Sequence, residues 1–206
     1  MRGSIMMVAV LTIVCFLSAM SLALINNITA ERIAEQKQKE KLLAVNSALP
    51  KDQLHYDNDP IKDRIDIPEW LDKDGTAKEI YLAKKQGEIV GIAFTSIGEG
   101  YSGYITIMMG IKPDGTITGM EIIEHEETPG LGSKIENPEF KAQFKGKSTE
   151  GSQDNNLEII KGRNAKDNWE IEALTGATIS PLGVVQAVND GLAKFRQNKD
   201  RIVGKL

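Results

Sequence analysis

The chain has 206 residues, of which 41% are hydrophobic and 26% charged, and this composition indicates one globular domain with one further segment. The formal net charge of −4 provides no broad positive field for a phosphate backbone, so nucleic-acid binding is disfavoured. A single cysteine, Cys15, and two histidines, His55 and His125, exclude an intramolecular disulfide, a four-ligand structural zinc site and a cysteine-ligated iron–sulfur cluster.

The first predicted element is a membrane-spanning helix. Residues 5–25 form a run of 21 residues without a charged side chain, which as a helix crosses a hydrocarbon core of about 30 Å. A cleaved signal peptide is the alternative, because residues 18–23 include small side chains suited to a cleavage site. The run exceeds the roughly 7–15 residues of a signal core, which favours a retained anchor. We therefore expect residues 1–4 in the cytoplasm, an anchor in the cell (inner) membrane, and an extracytoplasmic C-terminal domain.

Residues 26–75 are predicted to form a juxtamembrane helix and a linker. Residues 30–49 are rich in helix-forming Ala, Glu, Gln, Lys and Leu, and the segment stops at Pro50. The following stretch contains Pro60, Pro68 and many acidic residues, a composition typical of a loop.

An antiparallel sheet is predicted within residues 76–206. β-branched and alternating apolar residues indicate four strands, separated by glycine turns at Gln86-Gly87 and Pro113-Asp114-Gly115. The four predicted strands are residues 78–84, 89–95, 104–111 and 116–124. Because each strand follows the last through a short connection, we expect an antiparallel meander.

Shorter elements and one long helix are predicted to follow. A short helix is expected at residues 137–144, and two short strands are expected at residues 157–160 and 169–173. An apolar stripe at helical spacing indicates a final helix over residues 180–197, with Ser180 as its N-cap and Pro181 as its first residue. The predicted class is α+β, with a single N-terminal transmembrane helix followed by an antiparallel sheet covered by few helices.

The segment Thr175-Gly176-Ala177-Thr178 stands directly before this final helix. Its small residues allow a sharp turn that places backbone amides and a threonine hydroxyl at the positive end of the helix, a favourable place for a phosphate. Taken by itself, the segment is better explained by two threonines, Thr175 and Thr178, that serve a strand end and a turn.

Three motifs in order resemble those of the FMN-binding domain family. Thr175-Gly176-Ala177-Thr178 resembles its S/T-G-A-T flavinylation motif, and residues 125–132, which read HEETPGLG, resemble its H-x-E-T-P-G-L-G signature. Gly100-Tyr101-Ser102-Gly103 matches a further pattern of the family. The resemblance covers approximately residues 87–195. It departs from the family at Glu172, where Asp is common, and at Ser180, where Thr is frequent.

The resemblance implies a covalently bound FMN, attached through its phosphate to the Thr178 hydroxyl by a flavin transferase. It also implies that the flavin is bound by two groups of residues: Thr175, Gly176, Ala177 and Ser180 around the turn, and Glu127, Thr128, Gly130 and Leu131 in the second motif. In that second loop, we expect Leu131 to pack on the flavin ring and Thr128 or Glu127 to bond its polar edge. The alternative is a tight loop whose glycines and proline are purely conformational, with His125 paired to neighbouring acids.

Within this family, a short chain with one N-terminal anchor resembles the G subunits of the Rnf complexes, ion-translocating ferredoxin:NAD⁺ oxidoreductases. This implies an electron-transfer role, with the other membrane and peripheral subunits of such a complex as partners. The C subunit of the sodium-translocating NADH:quinone reductase, usually a longer chain, is one alternative. A non-redox anchored assembly module is another, and a free-standing flavin reductase is disfavoured by the anchor. Nicotinamide binding is not expected, because no G-x-G-x-x-G segment joins a strand to a helix.

Overall fold

A computed structural model describes residues 2–71 and 77–204 of the chain. The chain divides between Glu40 and Lys41 into two compact units. The predicted FMN-binding domain, residues 76–206, lies within the unit from Lys41 onward.

Helix α1 runs from Arg2 to Ala48. In the first unit it contains a stretch long and apolar enough to cross a membrane, and the large apolar side chains between Ile5 and Ile25 are exposed. This confirms the predicted N-terminal apolar helix. The helix also ends where the sequence indicates, since Pro50 follows it and precedes the short helix α2, Lys51–Leu54.

Five antiparallel strands form the main sheet in chain order: β1 Arg64–Leu71, β2 Ala77–Lys85, β3 Glu88–Glu99, β4 Tyr104–Ile111 and β5 Ile117–Glu124. The last four confirm the predicted meander. The expectation of a loop at β1 is wrong, because Ile65 and Ile67 alternate with Asp66 in a strand that pairs with β2. β1 lies at the edge of the sheet, where a proline such as Pro68 is tolerated, and its register shifts between Ile67 and Leu71.

The two faces of this sheet bury separate apolar clusters. On β3, Phe94 lies in a cluster with residues of helix α4, Ile179–Val203, whereas its neighbour Ala93 lies in a cluster with Val45 and Ala48 of α1. Adjacent strand residues point to opposite faces, so the sheet forms a middle layer. The hydroxyl of Thr118 on β5 also donates a 2.6 Å hydrogen bond to the carbonyl oxygen of Ala48.

Smaller elements connect β5 to α4. A 3₁₀ helix, Gly132–Glu136, is followed by α3, Pro138–Ala142, and by two short parallel strands, β6 Glu158–Ile160 and β7 Glu170–Glu172. These agree with the short helix and the two short strands expected from the sequence.

Close backbone packing fixes the start of α4 against β3. A Cβ added at Gly98 would collide with the carbonyl oxygen of Gly183, and one added at Gly183 would collide with the carbonyl oxygen of Glu99. One turn further on, the Ser96 hydroxyl donates a 2.7 Å hydrogen bond to the carbonyl oxygen of Ala187. The first turns of α4 therefore lie beside the end of β3, where the chain turns toward β4.

Helix α4 begins two residues earlier than the sequence indicates. Thr178 is the N-cap and Ile179 the first helical residue, so the expectation that Ser180 caps the helix and that Pro181 opens it is wrong. The Ser180 hydroxyl bonds a carboxylate instead of a helix amide. The helix also continues to Val203, beyond the predicted end at residue 197.

Candidate functional site

The three sequence motifs line one open cleft of about 320 Å³. Tyr101 comes from the turn between β3 and β4, and further lining residues come from the loop after β5 and from the segment that leads into α4. These residues are Glu127, Thr128, Leu131, Gly132, Gly176, Ala177, Thr178, Ile179 and Ser180. Motifs separated by dozens of residues thus form a single surface, whereas Thr175 and Gly130 lie outside its lining.

Thr178 stands at the amino end of α4, and its hydroxyl makes no capping hydrogen bond. The turn before it depends on Gly176, whose φ of +85° is a conformation that glycine adopts without strain. Thr178 is half-buried, while Thr175 and Gly176 are exposed. Because the N-terminal amides of a helix carry partial positive charge, this hydroxyl lies where an attached phosphate is stabilised.

Glu127 is a buried carboxylate with both oxygens bonded to protein groups. Its Oε2 accepts a 2.5 Å hydrogen bond from the Ser180 hydroxyl, and its Oε1 accepts a 3.0 Å hydrogen bond from the backbone amide of Ser102. Only 5% of Glu127 is exposed. The carboxylate therefore ties the β3–β4 turn to the first turn of α4, which limits its capacity to bond a ligand.

Two glycines make room for this carboxylate. A Cβ added at Gly132 would lie 2.6 Å from the Ser180 hydroxyl oxygen and would also collide with the Glu127 carboxylate. A Cβ added at Gly100 would collide with the other carboxylate oxygen and lie 2.9 Å from Ile105. The glycines at these two positions thus serve the close approach of side chains within the protein.

The loop after β5 is tight and presents apolar surface to the cleft. The backbone amides of Leu131 and Ser133 both donate to the carbonyl oxygen of Thr128 at 3.2 Å, and the amide of Gly130 donates to the Ser133 hydroxyl at 2.9 Å. Leu131 is 51% exposed. Tyr101 and Ile179 also line the cleft, and their apolar side chains are likewise exposed.

His125 is engaged by protein groups on both ring nitrogens. Its Nδ1 accepts a 3.0 Å hydrogen bond from the amide of Glu127, and its Nε2 lies 3.0 Å from a carboxylate oxygen of Glu136. These contacts agree with the expectation that His125 pairs with a neighbouring acid. Glu172 is likewise engaged, since its carboxylate accepts a 2.9 Å hydrogen bond from the amide of Ala165.

Lys134 is a residue of this region that the sequence analysis missed. It lies in the 3₁₀ helix, and its Nζ donates a 3.2 Å hydrogen bond to the carbonyl oxygen of Thr175. A basic residue two positions after the last glycine of HEETPGLG was the available sequence signal.

A charged cluster supports the segment before the turn. The Arg163 guanidinium is bonded to the buried Glu170 carboxylate, which also accepts hydrogen bonds from the amides of Lys166 and Asp167. The guanidinium and these amides lower the pKa of Glu170 from its ordinary 4.5 to about 2. Glu170 begins β7, the strand that leads toward the turn at Gly176.

These residues fit a phosphate-linked planar cofactor. The Thr178 hydroxyl is free of a capping bond, the open turn at Gly176 gives access to the helix terminus, and Leu131 and Ile179 expose apolar surface beside it. A flavin nucleotide combines an anionic phosphate with a flat ring and would use both features.

Comparisons with known proteins agree with this fit. The FMN-binding domain family matches residues 100–193. The G subunit of the Na(+)-translocating ferredoxin:NAD(+) oxidoreductase complex of Acetobacterium woodii is 35% identical over 190 residues, covering 91% of this chain and 89% of that protein. The G subunit of the ion-translocating oxidoreductase complex of Aliivibrio fischeri is 35% identical over 181 residues, covering 85% of this chain and 82% of that protein.

Solved structures share the fold at lower identity. The crystal structure of Shewanella oneidensis NqrC superposes with a TM-score of 0.56 and 24% identity, covering 70% of this chain and 74% of that chain. The C subunit of the Na(+)-translocating NADH-quinone reductase from Parabacteroides distasonis superposes with a TM-score of 0.51 and 20% identity, covering 69% and 68% of the two chains. From the sequence relatives, we conclude that the chain belongs to the family of G subunits of ion-translocating oxidoreductase complexes and contains an FMN-binding domain.

Proposed function

We propose that this chain is the membrane-anchored electron-transfer subunit of an Rnf complex and carries one FMN as a phosphoester on Thr178. The observation that supports the proposal most directly is the cleft, which gathers the three motifs around a threonine hydroxyl without a capping bond. When bound, FMN accepts and donates electrons singly or in pairs.

The attachment reaction follows from the chemistry of a hydroxyl and a flavin dinucleotide. The Oγ1 of Thr178 forms a bond to the phosphorus of the FMN moiety, the pyrophosphate bond of the donor breaks, and AMP leaves while the hydroxyl proton is lost. A threonine hydroxyl is a weak nucleophile near neutral pH, so a flavin transferase supplies the base and a metal ion. The chain is the substrate of that reaction.

The residues of the chain then bind and orient the product. Amides at the start of α4 stabilise the phosphodiester, and Leu131 packs against one face of the ring. Thr128 is exposed at the cleft and is placed to bond the polar edge of the ring. Glu127 contributes chiefly as a support, because both of its oxygens are bonded to protein groups.

The compartment and the partners form part of the same proposal. The apolar stretch of α1 supports a single-span membrane anchor, and the proposal has the FMN-binding domain outside the cytoplasm. A covalent bond prevents diffusion of the flavin from an open cleft. Electrons then pass between this flavin and carriers in the other subunits of the complex, which also bind ferredoxin and NAD⁺.

The C subunit of the sodium-translocating NADH:quinone reductase is the nearest alternative. The G-subunit relative of Acetobacterium woodii matches 91% of this chain at 35% identity, and the NqrC structure matches 70% at 24% identity. The sequence relatives therefore favour the Rnf assignment. An assembly module without a cofactor would share the fold and lack the flavin.

The experiment that separates these roles is the intact mass of the full-length chain after co-expression with a flavin transferase. Attached FMN adds about 438 Da, the mass of FMN less one water. We expect this increment in the wild type, its loss in Thr178→Ala, and its partial retention in Thr175→Ala. Wild-type protein without the increment would support the assembly module, and an increment in Thr178→Ala would contradict the attachment site.

A further inference from the structure

We propose that Lys134 binds the flavin phosphate at Thr178, during attachment and in the finished phosphodiester. The inference rests on the proposed function and adds a residue that the motif resemblance does not include. Lys134 makes and breaks no covalent bond in this scheme. It supplies a full positive charge where the backbone supplies only partial charges.

The ammonium of Lys134 is located at the flavinylation turn. Its Nζ donates to the carbonyl oxygen of Thr175 at 3.2 Å. A Cβ added at Gly176 would lie 3.8 Å from the same nitrogen, and no other heavy atom of the described residues beyond Gly176 and its two chain neighbours would lie within 4 Å of it. The glycine therefore leaves open space beside the ammonium, two residues before Thr178.

Lys134 differs in its pairing from several basic residues of its unit. Within residues 41–71 and 77–204, several basic side chains pair with carboxylates: Lys41 with Glu79, Lys84 with Asp63, Lys141 with Glu121 and Arg163 with Glu170. No carboxylate among the described residues pairs with Lys134. An ammonium has three N–H donors, so two remain for a ligand after the bond to Thr175.

The charge of the ligand explains why such a cation is placed here. The attached phosphodiester retains one negative charge, and the dinucleotide donor carries two on its pyrophosphate. Helix amides amount to only about half a positive charge at the terminus. A lysine on a flexible stem can follow the phosphorus as the donor bond breaks and the Thr178 bond forms.

Lys147 provides a matched control. It is also half-buried, and its Nζ donates a 3.0 Å hydrogen bond to a backbone carbonyl oxygen, that of Asp167. Neither lysine lines the cleft, but Lys134 contacts the turn at Thr175, whereas Lys147 contacts Asp167. Lys147→Met and Lys134→Met therefore remove the same charge and the same kind of bond, and only the second change removes the cation at the turn.

The first measurement is the rate of FMN attachment to full-length chain in detergent, with purified flavin transferase and flavin dinucleotide. We expect Lys134→Met to lower the maximal rate about tenfold, as for loss of one charge-assisted bond to a transferring phosphoryl group. The chain concentration at half-maximal rate should change less than about twofold. The maximal rate of Lys134→Arg should stay within about threefold of the wild-type rate, and that of Lys147→Met should equal the wild-type rate.

The second measurement is the ³¹P NMR resonance of the completed phosphodiester, which reports its surroundings without the transferase. Lys134→Met should shift this resonance, and Lys147→Met should leave it in place. Equal rates and equal resonances for the two Met variants would overturn the inference while leaving the Thr178 assignment intact. The inference would also be overturned if Lys134→Met changed only the chain concentration at half-maximal rate and left the maximal rate unchanged. Lys134 would then be a contact for the transferase. Wild-type chain that accepts no FMN would remove the proposed function together with this inference.

Discussion

The Ser180 hydroxyl donates a 2.5 Å hydrogen bond to the Glu127 carboxylate, and this contact joins two residues separated by 53 positions in the chain. Ser180 is 2% exposed and Glu127 is 5% exposed. The bond lies within one helical turn of Thr178, so it fixes the start of α4 to the loop that forms the opposite wall of the cleft.

Replacing Ser180 with Ala should destabilise the chain by about 1–3 kcal/mol, because it leaves a buried carboxylate oxygen without its donor. The two tryptophans, Trp70 and Trp169, both lie in the unit from Lys41 onward, so their fluorescence during urea unfolding reports this unit. Ser102→Ala is the control, since Ser102 bonds Glu127 through its backbone amide. An equal loss of unfolding free energy in both variants would contradict a stabilising role for the Ser180 hydroxyl.

Glu127→Ala should lower the free energy of unfolding by about 3 kcal/mol, more than Ser180→Ala does. The reason is that it leaves two donors, the Ser180 hydroxyl and the Ser102 amide, without their acceptor. Glu127→Gln should cost less, since its carbonyl oxygen can accept from the Ser102 amide and its amide group can donate to the Ser180 hydroxyl. The same unfolding assay measures both variants, and FMN attachment should fall in the order wild type, Gln, Ala. Full attachment in Glu127→Ala would show that Thr178 needs no such support.

Gly98→Ala should destabilise the chain by about 1–3 kcal/mol, because its methyl group would collide with the carbonyl oxygen of Gly183. Gly115→Ala is the comparison, since its φ is +94° and an added Cβ there would meet no atom within 4 Å. The first variant should also reduce FMN attachment by moving the start of α4, and the second should leave it unchanged. A larger effect of Gly115→Ala on attachment would rule out this packing as the positioning contact.

The Arg163–Glu170 pair should make stability depend on acid pH. The pKa of Glu170 is about 2 in the folded chain and 4.5 ordinarily, so its ionisation contributes stability above about 4.5 that is lost as the pH falls toward 2. The difference in Tm between wild type and Glu170→Gln should therefore narrow over this range. Arg163→Met should remove most of this pH dependence, because the carboxyl loses its cation. A difference that stays constant from pH 6 to about 2.5 would contradict the assigned pair.

Membrane topology can be tested with single cysteines in a Cys15→Ser background, since the chain has one natural cysteine. Lys112 is exposed in the turn after β4, and Gly3 is exposed near the start of α1. A membrane-impermeant maleimide added to intact cells with a permeable outer layer should label Lys112→Cys and spare Gly3→Cys. The reverse pattern would place the flavin site in the cytoplasm.

The sequence predicts the strands that apolar and β-branched runs mark between glycine turns, and it misses β1, which carries Pro68. A proline suggests a loop unless the position is known to lie at an edge. That knowledge depends on the strand order, a tertiary property. The start of α4 was misplaced for a related reason, since Ser180 is a good capping residue by type and its hydroxyl is used by a distant carboxylate.

The residues of the candidate site also divide into those that the local sequence predicts and those that depend on tertiary contacts. Spacing and resemblance identify the turn at Thr178 and the loop at Leu131, which the structure brings to one cleft. The support role of Glu127 and the position of Lys134 depend on contacts between segments far apart in the chain. No local pattern encodes such contacts.

The most direct test of flavin attachment is to locate the flavin by fragmentation of the tryptic peptide 167–194, which contains both Thr175 and Thr178. The chain should be isolated from membranes of a host that supplies the flavin transferase. We expect the increment of about 438 Da on fragments that include Thr178 and on none that end before it. An unmodified peptide, or an increment assigned to another residue, would contradict the central claim.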